Sequence, residues 1–115
     1  MPRPSVMAEV IAYLKNNMDV RVASEVPASR PAQMVTVERT GGTGSALLDE
    51  PRVDVDTWAN SDAEALSLSD EVTELMYRLP DASDTVSEVT RTSQYRSDVD
   101  GSHRWTATFN ITRNV

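Results

Sequence analysis

A chain of 115 residues with a formal net charge of −7 has room for one domain with a modest core, and its charge opposes the phosphate backbone of nucleic acid. It contains no cysteine, which excludes disulfides and thiolate metal sites. No apolar run approaches the roughly 20 residues of a membrane-spanning helix, and Met1-Pro2-Arg3-Pro4 lacks the apolar stretch of a secretory signal, so no membrane association is expected and the protein should stay where it is made.

Ten of the eleven basic residues are arginine, Lys15 being the exception. Two readings stand: Arg-rich interfaces that grip carboxylates bidentately, or the codon bias of a GC-rich genome. No internal repeat or long linker divides the chain, so residues 1–115 are expected to form a single α+β domain.

The first element is a helix over residues 5–17. Ser5 is its N-cap, with Pro4 just before it, and Val6, Met7, Val10, Ile11 and Leu14 share one face. A short strand follows over residues 20–23. Pro27 and Pro31 then forbid a central strand and favour an extended connection. Residues 33–40 alternate as a second strand, with Val35 and Val37 on one side and Met34, Thr36 and Glu38 on the other. Gly41-Gly42-Thr43-Gly44 is expected to end regular structure and to open a loop running to Glu50. In the third strand, residues 52–58, Val53, Val55 and Thr57 face one way and Asp54, Asp56 and Trp58 the other.

The second helix begins at the capping box Ser61-Asp62-Ala63-Glu64. Ala65, Leu68, Val72, Leu75, Met76 and Leu79 form its apolar stripe, and Pro80 is expected to stop it. Two long strands end the chain, residues 84–96 and 103–114, joined by a hairpin at Asp98-Val99-Asp100-Gly101. In the last strand Trp105, Ala107, Phe109 and Ile111 alternate with Arg104, Thr106, Thr108, Asn110 and Thr112. The order α-β-β-β-α-β-β implies an antiparallel-rich sheet packed against two helices, with one face polar.

Chemistry is sparse. The glycine run lacks the Lys-Ser/Thr of a phosphate loop, and a flexible turn explains it. Asp98-x-Asp100-Gly101 resembles the start of a calcium loop, but Phe109 stands where the bidentate Glu belongs. Asp54 and Asp56 share a strand face, as an acid/base pair or hard-metal ligands would, yet no partner cluster supports either use. A solvated or interface face is the better account of them. His103 is the only histidine, and its neighbour Ser102 should point to the opposite face, which suits no nucleophile–base pair. Met7 and Met76 fall on the helix stripes and read as core. Trp58 lies on the same side as the two aspartates, as a subunit contact or as packing beneath a loop. No catalytic role and no cofactor are expected.

The succession Val26-Pro27-x-x-Arg30-Pro31, Val35-x-Val37-x-Arg39, Gly41-Gly42, then Arg52-Val53-Asp54-Val55-Asp56-Thr57-Trp58-Ala59 and the capped helix with Glu64-Ala65 resembles the small tail terminator, or tail completion, proteins of siphophages. The likeness runs from about Ser5 to Ile111. It implies a non-enzymatic virion protein, assembled in the host cytoplasm, whose protomers close into a ring, usually a hexamer. Such a ring caps the head-proximal end of the tail tube, stops its growth and joins the head through a neck protein, while genomic DNA passes through unbound. An acidic sheet face at Asp54 and Asp56 suits such a lumen. Gly42, Thr43, Leu47, Leu48 and Trp58 are the candidate contacts to a neighbouring subunit or the tube. Other neck or minor capsid proteins, a stand-alone ligand-binding module and a small enzyme are the alternatives.

Overall fold

Residues 5–114 are described by the structure, a computed structural model. The expectations for Met1 to Pro4, including the proline ahead of the first helix, lie outside the described residues.

The elements follow in the order α1 (Val6–Asn17), β1 (Arg21–Ala23), β2 (Met34–Gly44), β3 (Leu48–Ala59), α2 (Asp62–Ala82), β4 (Val86–Arg96) and β5 (His103–Asn114). The five strands form one sheet in the order β1-β2-β3-β5-β4. Only β1–β2 is parallel; the other three pairings are antiparallel. Both helices pack on one face, so the fold is the α+β arrangement expected from the element order.

Ser5 caps α1 by accepting the Ala8 N–H, and Val6, Val10 and Leu14 bury their side chains completely or nearly so, each contributing about 1.5–3 kcal/mol of burial. Met7 and Ile11 are only half-buried at the edge of that stripe. Ser61 caps α2 by accepting the Glu64 N–H, which is one half of the capping box. Ala65, Leu68, Val72, Met76 and Leu79 meet Val53, Val55, Ala107, Phe109 and Ile111 from the sheet in one core.

Pro80 does not stop α2, which runs on to Ala82. A proline in the final turn removes one N–H donor, and the turn is closed beyond it, where the Ser83 N–H donates to the Leu79 carbonyl.

The glycine run does not open a loop. β2 continues through Gly44 and pairs with β3 as far as Asp49, leaving only residues 45–47 as the turn. A register shift between Arg39 and Gly41 absorbs one residue, and Gly41 and Gly42 take φ of +152° and +118°. Gly42 lies so close to β3 that a Cβ would stand 2.4 Å from the Glu50 carbonyl oxygen. Glycine serves here for close approach as well as for conformation.

Met34 and Thr36 also depart from expectation: both are buried although they face away from the helices, because residues 24–33 return across that end of the sheet. At the opposite end a buried ion cluster ties three elements together. Arg113 on β5, 4% exposed, places Nε 2.9 Å from Asp49 Oδ2 on β3 and Nη1 3.5 Å from Glu9 Oε2 on α1. Glu9 also accepts hydrogen bonds from the Ser83 and Thr85 hydroxyls. Truncating Arg113, the member shared by both ion pairs, would strip two partly buried carboxylates of their common partner, at a cost of about 3–5 kcal/mol.

The strand assignment of the glycine run is tested by Gly42→Ala, which should cost about 2–3 kcal/mol or more in urea unfolding, because a Cβ meets β3 backbone at positive φ. Gly101→Ala, with open space around it, should cost only about 1 kcal/mol. Equal and small losses at both positions would return residues 41–44 to a loop.

Candidate functional site

The face of the sheet turned away from the helices is polar, and its side chains stand in cross-strand rows. Thr36, Asp56, Thr106 and Tyr95 are successive partners across β2, β3, β5 and β4, and Glu38, Asp54, Thr108 and Ser93 make the next row. The Thr106 hydroxyl donates to Asp56 Oδ1 at 2.6 Å, and the Thr108 hydroxyl donates to Asp54 Oδ1 at 2.7 Å. Both carboxylates are thus oriented by neutral donors. Arg104 Nη1 lies 3.8 Å from Asp56 Oδ2. Burial pushes the Asp56 carboxyl above its ordinary range; the Thr106 bond and Arg104 oppose the shift, and the charges of Asp54 and Glu38 add to it.

Trp58 lies on this face but is 8% exposed. Its Nε1 donates to the Thr36 hydroxyl at 3.2 Å, and the guanidinium groups of Arg30 and Arg104 lie over its ring at 5.3 and 5.1 Å from the centroid. Of the two readings of Trp58, packing beneath a loop is the one the fold realises. Arg30 also donates to the Ser102 hydroxyl and the Pro31 carbonyl, which pins residues 24–33 to the β4–β5 turn.

The tip of the β2–β3 hairpin is a second distinct surface. The Ser45 N–H donates to the Leu48 carbonyl at 2.7 Å, and the Ser45 hydroxyl accepts from the Leu47 and Leu48 N–H groups. The turn is closed by its own backbone, and its two leucines point outward, Leu47 79% and Leu48 37% exposed. Gly42 and Thr43 belong to the strand leading into it, and the Thr43 hydroxyl donates to Glu50 Oε2 across the hairpin.

The remaining motifs resolve as turn structure. Asp98, where a calcium loop would begin, accepts from Arg96 Nε and Nη2 at 3.0 and 2.8 Å and from the Arg104 N–H. Asp100 and Gly101 supply the two positive-φ positions of the hairpin turn. His103 Nδ1 is buried without a hydrogen-bond partner, 4.0 Å from Asp98 Oδ2, while the Ser102 hydroxyl is engaged by Arg30. Among the described residues no group of three or more His, Asp or Glu side chains is placed to hold a metal ion.

The structure therefore brings Asp54 and Asp56 together, both half-buried, on the sheet face away from the helices, sets Leu47 and Leu48 apart at the hairpin tip, and withdraws Trp58 into packing. Sequence reasoning missed Thr106 and Thr108 as carboxylate partners, because their alternation gave a face but not the insertion of β5 beside β3. No protein-family model matches the chain, and no curated protein matches it.

The raised Asp56 pKa fixes the sign of a pH effect. Above that pKa the folded protein carries an ionised carboxylate that it disfavours, so the group costs stability at neutral pH. The cost fades as pH falls through the raised value and is absent below the ordinary carboxylate range. Asp56→Asn should raise the midpoint of thermal unfolding at pH 7, and the gain should shrink as the pH falls into the acid range. A variant less stable at pH 7 would mean that the Arg104 contact outweighs burial.

Proposed function

We propose that this chain is a structural assembly subunit, and within that class a tail terminator of a long-tailed phage. Its protomers form a ring, hexameric by family habit, that caps the head-proximal end of the tail tube, ends polymerisation and offers the head-joining surface. It works as part of the virion after assembly in the host cytoplasm, and it catalyses no reaction.

The observation that carries this reading is the sheet with helices on one face only, whose other face shows threonines and carboxylates and whose β2–β3 hairpin ends in two exposed leucines. Exposed adjacent leucines on an ordered turn suit a protein–protein contact. A face of oriented carboxylates suits a channel wall that genomic DNA must pass without adhering, since like charge removes attraction to phosphate. The resemblance to siphophage tail terminators across residues 5–111 supplies the particular assembly.

The test is binding to purified tail tubes, followed by negative-stain microscopy and by tail-length measurement in a complementation assay. The protein should cap one end of the tube, and Leu47→Ser with Leu48→Ser should keep its thermal midpoint while binding tubes at least tenfold more weakly. Tails of normal length from that double variant, or a parent protein that ignores tubes, would overturn the reading.

A further inference from the structure

The two edges of the sheet are finished differently. β4 is guarded: its register against β5 shifts at two places, and the Tyr77 hydroxyl accepts the Arg91 N–H at 3.0 Å. β1 carries no such device. It is the last strand on its side of the sheet, and among the described residues no turn, loop or cap backbone hydrogen bond falls on residues 20–24. Alternate backbone groups of such a strand point outward, where no described strand meets them.

Beside this edge runs a groove of about 400 Å³, lined by Ile11 and Lys15 of α1 and by residues 20–24. Val22 is buried in the core, so it points to the helix side, and Val20 shares its parity. Half-buried Ile11 and Val20 give that wall an apolar base, and Lys15 stands exposed on it. Arg21 has the opposite parity and is exposed on the other wall. Neither cation forms an ion pair with a described residue. Asp19 and Glu25 bracket the segment in sequence but do not line the groove. On a chain of net charge −7, this edge is therefore a local exception in sign.

These features select an occupant. An extended peptide can pair its backbone with β1 and send alternate side chains to the two walls. Those that reach Ile11 and Val20 must be apolar, and those beside Lys15 and Arg21 must be acidic for the charges to match. A nucleic-acid strand fits poorly, since two cations on so acidic a chain neutralise few phosphates.

We propose that the β1 edge takes up an extended acidic segment of another protein as an added strand, seated beside α1 with its carboxylates at Lys15 and Arg21. The groove would serve such a partner whether or not the chain caps a tail tube.

The probe is a short labelled peptide of alternating valine and glutamate, titrated into the full chain by fluorescence polarisation and followed by amide exchange in NMR. It should bind saturably below about a millimolar and slow amide exchange within residues 21–23. A fully N-methylated version keeps the charge and loses the backbone donors, so it should bind about tenfold more weakly or worse. Lys15→Glu with Arg21→Glu should weaken the glutamate peptide by about tenfold or more and gain affinity for a valine–lysine peptide. Matching circular dichroism spectra and thermal midpoints establish that this double variant is folded. No saturable binding, equal binding of the methylated peptide, an indifferent double variant, or exchange protection confined to other elements would each overturn the inference. Self-association of the parent chain that the glutamate peptide disperses would make a second copy the occupant, and the foreign segment would be ruled out.

Discussion

Strand β3 has to satisfy two environments at once. Val53, Val55 and Thr57 point into the core beneath α2, while Asp54, Asp56 and Trp58 point the other way from the same backbone. A slip of one residue against β5 would bury both carboxylates among aliphatic side chains and expose three apolar or half-apolar ones. β5 answers with the same period, placing Ala107, Phe109 and Ile111 inward and Thr106 and Thr108 outward against the carboxylates. Register, helix placement and the polar face all follow from this matched alternation. The core selects it, and the threonine–aspartate bonds confirm it from the opposite side.

Much of this was legible because period carries side-chain direction. The stripe of α2, the alternation of β5 and the positive-φ turn at Asp100-Gly101 were readable from residue type and spacing alone. What escaped depends on partners distant in sequence. The glycine run reads locally as a breaker, yet opposite β3 it is the part of a strand that admits close backbone approach. Pro80 reads as a stop, although in the last turn it forfeits little. Arg113 continues the inward parity of β5 and so falls at a core position. Only the meeting of Asp49 and Glu9 from two other elements makes that position tolerable for a guanidinium. For the site, sequence placed Asp54 and Asp56 on one face and Leu47 beside Leu48. The partners that orient the carboxylates required the strand order.

The ion cluster also governs how the hairpin presents its tip. Asp49 immediately follows Leu48 and is bound to Arg113, which in turn meets Glu9 on α1; Arg39 Nη2 lies 3.6 Å from the other oxygen of Asp49. Beyond that anchor the chain turns within three residues, held by Ser45. The leucines are therefore displayed on a short, internally bonded turn rather than on a ten-residue loop. A preorganised contact loses less conformational entropy on docking, so modest apolar area there yields more affinity than the same residues on a mobile segment.

Charge is distributed with the same economy of partners. Several arginines are committed to local tasks: Arg96 to Asp98 and Asp62, Arg113 to Asp49 and Glu9, Arg52 to the Thr40 carbonyl, and Arg30 to Ser102 and the Trp58 ring. The open face is treated differently. Asp54 is oriented by a threonine, and Asp56 by a threonine with Arg104 at the longer distance of 3.8 Å. A hydroxyl fixes a carboxylate without cancelling its charge, whereas a bidentate guanidinium would both fix and neutralise it. Threonine at positions 106 and 108 thus orders the two carboxylates without adding a positive charge beside them. Replacing either by arginine would keep the order and forfeit the charge, which is the physical difference between a surface that repels phosphate and one that holds it.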